Sequence, residues 1–129
     1  MTDRELINIA IEMKQKAYVP YSNFHVGTAL ETEDGTVITG CNVENSAYGV
    51  CICGEQTAIV KAVSEGHQKF KRIAVAGDSD GPCLPCGACR QILSEFCAPS
   101  MPILCAGMDG EYGSYTMGEL LAHSFRLER

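Results

Sequence analysis

Two short segments hold residue types that do chemistry when brought together: Cys53-Gly54-Glu55 and Pro85-Cys86-Gly87-Ala88-Cys89. A Cys-x-x-Cys pair at the start of a helix lets both thiolates converge on one ion, and the helix dipole and free N–H groups there favour the ionised sulfur. Zinc suits such a set best. Cys53 adds a third sulfur, and three protein ligands leave the fourth tetrahedral position to water, the pattern of a catalytic rather than a structural zinc. Glu55, two residues beyond Cys53, is then placed to stand beside that water as a non-ligating acid and base, with zinc lowering the water pKa to roughly 7. A closed site competes with this: Cys86 and Cys89 together with Cys51 and Cys53 would hold a structural metal and do no chemistry. Cys83 is a further candidate ligand.

Composition narrows where such a site would work. A chain of 129 residues, 46% apolar, fits one domain spanning 1–129. It can bury roughly two-thirds of its unfolded surface, so its cysteines are not needed as staples for a small core. Lys and Arg total 10 against 16 Asp and Glu, a net charge of −6, which opposes binding of nucleic acid or an anionic membrane through a basic face. No apolar run approaches the roughly 18 residues of a membrane span, and MTDRELINIA lacks a secretory pattern. These features point to the cytoplasm, where disulfides are rare and 8 cysteines signal metal binding or thiol chemistry. Cys41, Cys97 and Cys105 fall in strand or helix positions where a thiol is a small buried hydrophobe. His25, His67 and His123 lie outside the cysteine pattern and read as solvated or satisfied side chains.

The elements that must position these residues follow from local pattern. Thr2 and Glu5 make a capping box, and Leu6, Ile9, Ala10, Met13 and Ala17 recur at helical spacing, predicting a helix over 3–17 that stops before Pro20. Phe24 to Leu30 and Val37 to Val43 read as a hairpin around Glu33-Asp34-Gly35. A helix begins near Cys53 and ends at Gly66, with Ala58, Ile59, Ala62 and Val63 on its apolar face. Ile73 to Gly77 is a buried strand, Asp78 to Pro85 a loop, Gly87 to Cys97 a helix and Pro102 to Ala106 a strand. Asp109-Gly110 turns the chain, and Thr116 with Glu119 caps a short last helix. The hairpin brings antiparallel pairing and the strand-helix-strand crossover parallel pairing, so the class is α/β with a mixed sheet. Helices that begin where strands end place their N-termini, and the cysteines on them, at one rim of the sheet.

The ordered blocks Tyr21-Ser22-Asn23-Phe24-His25-Val26-Gly27, Asn42-Val43-Glu44-Asn45, Cys53-Gly54-Glu55, Thr57-Ala58 and Pro85-Cys86-Gly87-Ala88-Cys89-Arg90-Gln91 resemble the small homotetrameric zinc-dependent cytidine deaminases along almost the whole chain. The resemblance implies a three-layer α/β/α fold with a mixed central sheet and one Zn²⁺ per subunit. It implies hydrolytic deamination of cytidine and deoxycytidine to the uridine forms with release of ammonia. It also implies roles. Phe24 would flank the pyrimidine, the N–H of Gly54 would hold the base carbonyl, and Asn42 and Glu44 would hold the ribose. Glu55 would carry protons, and Phe125 would reach a neighbouring subunit's site, with Asn45 and Tyr48 on a loop at that boundary.

Two positions depart from the family pattern. Gln56 stands where Arg is common, so nothing there offsets the charge of three thiolates around one Zn²⁺; an amide donates hydrogen bonds to sulfur without that charge, leaving Arg90 and the helix dipoles to compensate. Gly54 stands where Ala is usual, which keeps the backbone donor and loosens the helix start. An anionic site suits a neutral nucleoside better than a nucleotide. Gln56 keeps open a second reading, a deaminase of a related aminated heterocycle such as a cytosine-containing antibiotic, and the closed metal site keeps open a third, a structural zinc module. Polynucleotide editing is opposed by the acidic charge.

Overall fold

The computed structural model describes residues 1–128. Along the chain run α1 (Asp3–Met13), a 3₁₀ turn (Lys14–Lys16), β1 (Val26–Thr32), β2 (Val37–Cys41), a second 3₁₀ turn (Tyr48–Val50), α2 (Gly54–Ser64) and β3 (Phe70–Gly77). They are followed by α3 (Gly87–Phe96), β4 (Pro102–Ala106), β5 (Tyr112–Thr116) and α4 (Met117–Leu120). The strands form one sheet in the order β2-β1-β3-β4-β5. Only β3 and β4, joined through α3, pair in parallel; β1 is antiparallel to both β2 and β3, and β4 to β5. The mixed sheet expected from the sequence is therefore present.

Alternation along the central strands splits the core into two layers. Ala29, Ala74, Ala76, Leu104 and Ala106 face α1, packing against Leu6, Ile7 and Ala10. Leu30, Ile73, Val75, Ile103 and Cys105 face the other way, onto Ala58, Ile59 and Ala62 of α2, Leu93 of α3 and Met117 of α4. Strands covered on both faces read as continuous apolar runs, as Ile73-Ala74-Val75-Ala76 does. The three-layer α/β/α arrangement follows. Small side chains on the α1 face let that helix lie close: a Cβ on Gly27 would fall 1.9 Å from the Ala10 carbonyl oxygen. On the opposite face a Cβ on Gly40 would fall 2.6 Å from the Gly54 carbonyl oxygen, so the backbones of β2 and α2 touch at the helix start.

Both capping boxes form, Thr2 with Glu5 and Thr116 with Glu119, and α2 runs out just before Gly66, whose φ is +100°. Four features differ from the expectations. The first helix ends at Met13 and tightens into the 3₁₀ turn, leaving Ala17 extended, because Tyr18 is drawn into a bridge with Val43 through bonds to Asn42 and Glu44. The hairpin strands are shifted, and β2 stops at Cys41 because the Asn42 side chain takes over the next rung, accepting from Val26 N–H at 2.9 Å and donating to the Phe24 carbonyl at 2.8 Å. The third strand begins at Phe70 rather than Ile73, extended by pairing of Phe70 and Arg72 with the end of β1. Strand β5 was not anticipated: it lies at the sheet edge, pairs only with β4 and is half-exposed, so it carries no clear alternation. No helix among the described residues is long and apolar enough to cross a membrane.

Candidate active site and metal centre

Helices α2 and α3 begin side by side at one rim of the sheet, with Cys53 and Cys86 as their N-cap residues in extended conformation. Cys89 lies in the first turn of α3. Among the described residues, Cys53, Cys86 and Cys89 form the one group able to hold a metal ion, their sulfurs all within 4.8 Å of one another. The Sγ atoms of Cys53 and Cys86 are 3.8 Å apart and those of Cys86 and Cys89 3.5 Å. Zinc–sulfur bonds of about 2.3 Å at the tetrahedral angle space sulfurs about 3.8 Å apart, close to both of these separations, so the three residues fit zinc. The sulfurs share their protons unequally: hydrogen bonding from Cys89, and less from Cys86, draws Cys53 down to about 6 against its partial burial. Cys89, bonded to Cys53 and desolvated, is pushed strongly upward.

The closed four-cysteine alternative does not form. Cys51 is turned away, receiving the Asn45 N–H at 3.3 Å and lining a separate hollow. Cys83 stands outside the sulfur cluster, where burial, with the nearby Glu55 charge, pushes its thiol up to about 11. It lines the cavity beside the cluster instead. Gly77 makes that possible, since a Cβ there would fall 2.4 Å from the Cys83 sulfur.

That cavity, about 180 Å³, brings together Phe24, Asn42, Cys53, Gly54, Glu55 and Cys86. Val26, Cys83 and Leu84 complete its lining: Cys83 was a candidate ligand and Val26 part of a resembling block, while Leu84 had no distinguishing signal in the sequence. Glu55 is 5% exposed. Burial raises its carboxyl to about 7, and the charge of Cys53 acts in the same direction. A carboxyl poised near neutrality beside an open three-sulfur site is suited to take up and return protons at neutral pH.

Other predicted residues sit outside this cavity. Glu44 lines the adjoining hollow of about 310 Å³ with Tyr21, Ser22, Tyr48 and Cys51. Its carboxylate already accepts from the backbone N–H groups of Tyr21 and Ser22, both at 3.1 Å, and from the Ser22 hydroxyl. Gln56 does not reach sulfur through its amide nitrogen. Its Oε1 accepts the Cys53 N–H at 3.0 Å, completing a capping box at the start of α2. Arg90 braces the loop before Cys86, donating to the Pro85 and Leu120 carbonyls at 2.8 Å each. Asn45 accepts the Ala47 N–H, and the exposed Tyr48 ring meets Tyr21 edge-on at 5.8 Å. Phe125 lies outside the cavity, 68% exposed, its carbonyl accepting from Gln91 at 3.2 Å and the following Arg126 bonded to the Ser94 and Glu95 carbonyls. An ion tie unseen in the sequence closes the rim: Asp78 receives Lys14 and His25 at 2.8 Å each, and these bonds hold it near 2 against partial burial.

Comparison with known proteins agrees with this geometry. Residues 1–105 match the family model of the cytidine and deoxycytidylate deaminase zinc-binding region. The cytidine deaminase of Sporosarcina psychrophila is 48% identical over 99% of this chain and 94% of its own length. That of Halalkalibacterium halodurans is 45% identical over 98% of this chain and 96% of its own. The crystal structure of cytidine deaminase from Burkholderia pseudomallei superposes with a TM-score of 0.94 at 46% identity, covering 97% of this chain and all of that one. Fold, sulfur cluster and whole-chain likeness converge, and the chain belongs to the zinc-binding cytidine and deoxycytidylate deaminase family.

Proposed function

We propose that the chain, acting as one domain over 1–129, deaminates cytidine and deoxycytidine hydrolytically, giving uridine or deoxyuridine and ammonia. One observation carries this: a buried, non-ligating Glu55 shares a cavity with the three-sulfur cluster, Phe24 and Asn42. Cys53, Cys86 and Cys89 would hold zinc, which when bound would supply a water of pKa roughly 7. Glu55 takes the proton of the attacking water and gives it to N3 of the base, making C4 more electrophilic as the C4–O bond forms. It then delivers the second proton to the 4-amino group, the C4–N bond breaks, and ammonia leaves with the 4-oxo base retained. The carboxyl begins and ends the cycle in the same state.

Phe24 flanks the pyrimidine, and the Gly54 N–H holds its carbonyl. Asn42 keeps one amide hydrogen and Glu44 one carboxylate lone pair beyond their internal bonds, and these serve the ribose hydroxyls. Gln56 and Arg90 hold the two cysteine-bearing turns. The active form is a cytoplasmic homotetramer in which Phe125 completes a neighbouring copy's site and the Asn45 to Tyr48 loop lies at the boundary; the exposure of Phe125 on an anchored backbone supports this. The anionic sulfur cluster favours nucleoside over nucleotide.

The test is ammonia release from cytidine, deoxycytidine, cytosine and cytidine monophosphate, with zinc quantified in the same preparation. Turnover of the two nucleosides and poor use of cytosine and the monophosphate support the assignment. No ammonia from any of them at full zinc content refutes it.

A further inference from the structure

The start of α2 is seated on β1 by a contact that the reaction itself does not call for. Thr28 is fully buried in β1, on the face turned to α2. Its hydroxyl is the one buried side-chain polar atom without a hydrogen-bond partner among the described residues. A hydroxyl desolvated without a bond in return does not stabilise the fold, so its position needs another reason. That position is filled to the limit: a Cβ on Gly54 would fall 2.9 Å from Thr28 Oγ1, 3.3 Å from Val26 Cγ1 and 3.5 Å from the Asn42 nitrogen. Thr28 is β-branched, stiff at χ1 and enclosed, so it has little freedom to swing aside.

From these contacts we infer that Thr28 and Gly54 are a matched pair that sets the seat of the first turn of α2, and through it the placement of Cys53 and Glu55. The neighbours of Gly54 in sequence are the N-cap ligand and the buried carboxyl. On the β2 side the turn already rests backbone against backbone, with Gly40 2.6 Å from the Gly54 carbonyl oxygen once given a Cβ. A side chain at position 54 therefore has one way to be accommodated while Thr28 is present, which is to lift the turn and displace the flanking sulfur and carboxyl. Thr28 is a positioning residue outside the cavity lining, and Gly54, whose N–H is proposed to hold the base carbonyl, keeps that donor when it becomes alanine; neither side chain touches the reacting atoms.

The activity arm of the test rests on the proposed cytidine deamination; the metal arm does not. Wild type, Gly54→Ala, Thr28→Ala, Gly54→Ala/Thr28→Ala and Gly54→Ala/Thr28→Val are compared for zinc retained per chain against a chelator series and for kcat/KM on cytidine. Gly54→Ala should lower kcat/KM by about tenfold or more and give up zinc at lower chelator, whereas in the Thr28→Ala background the same change should alter each by less than about threefold. Thr28→Val should not rescue, because a methyl replaces the hydroxyl in the contested space. Equal behaviour of the two double variants, or a Gly54→Ala protein indistinguishable from wild type, overturns the pairing. If Gly54→Ala alone does not fold, the two double variants decide between the same outcomes. A wild type without turnover on cytidine counts against the proposed reaction, while zinc retention still decides the pairing.

Discussion

Replacing Glu55 by glutamine keeps the shape of the side chain and removes its charge, which makes the cost of burying that charge measurable. Glu55 is 5% exposed, and burial, reinforced by Cys53, raises its carboxyl from 4.5 to about 7. A folded-state pKa above the unfolded one means that the folded protein holds the proton more tightly. The stabilising contribution is therefore full below pH 4.5 and is lost as pH rises through about 7. At about 1.4 kcal/mol per pH unit over that interval, the ionised carboxylate destabilises the metal-free protein by about 3 kcal/mol above neutrality. The Glu55→Gln variant escapes this. Chelator-treated wild type and variant, unfolded by heat or urea from pH 4.5 to 8.5, should have matching stabilities at the acid end. They should diverge to about 3 kcal/mol, or about 10 °C in Tm, at the alkaline end. Stability curves that run parallel across the whole range would refute the burial argument and remove the reason for a carboxyl poised near neutrality.

Three further changes probe the frame around the site. Gly27→Ala puts a Cβ against the α1 backbone, 1.9 Å from the Ala10 oxygen and 2.7 Å from the Lys14 nitrogen. Thermal unfolding should show a loss of about 3 kcal/mol as α1 is forced off the sheet. Asp78 is held near 2, below its ordinary 3.8, so its tie to Lys14 and His25 stabilises the protein above pH 3.8 and is lost as pH falls towards 2. Asp78→Asn should accordingly unfold more easily at neutral pH, with the difference from wild type closing through that acid window. Phe125→Ala should raise KM for cytidine by about threefold to tenfold with zinc per chain unchanged, provided sizing gives a tetramer. An unaltered KM counts against the aromatic ring serving a neighbouring site.

Local signals in the sequence reached far into this structure where the physics is local. Thr2 with Glu5 and Thr116 with Glu119 each needed only a three-residue spacing to mark a helix start, and both boxes form. The cysteines on two helix N-termini were legible for the same reason, and their sulfurs meet. Strand β5 was not, because Tyr112-Gly113-Ser114-Tyr115-Thr116 becomes a strand by pairing with β4 rather than by its own alternation. The end of α1 was overextended because apolar spacing reaches Ala17, while a contact with distant Val43 claims Tyr18. Within the site, Phe24, Asn42, Gly54 and Glu55 share one cavity, but Glu44 lies in the next hollow, held by Tyr21 and Ser22. Gln56 carried a legible departure from the family pattern, yet its use as a cap for Cys53 depends on an oxygen orientation that spacing does not encode. Cys83 entered the cavity because Gly77 leaves it room, and Thr28 met Gly54 across two elements. Contacts of that kind leave no trace in residue spacing.

Glu55→Ala, assayed for zinc content and for ammonia release from cytidine in a single preparation, addresses the proposed chemistry most directly. Cys53, Cys86 and Cys89 are untouched by the change, so the variant should hold about one zinc per chain while turnover falls by about a hundredfold or more, the scale of a lost general acid and base. Full zinc with turnover near that of wild type would contradict the assignment of the proton transfers to Glu55.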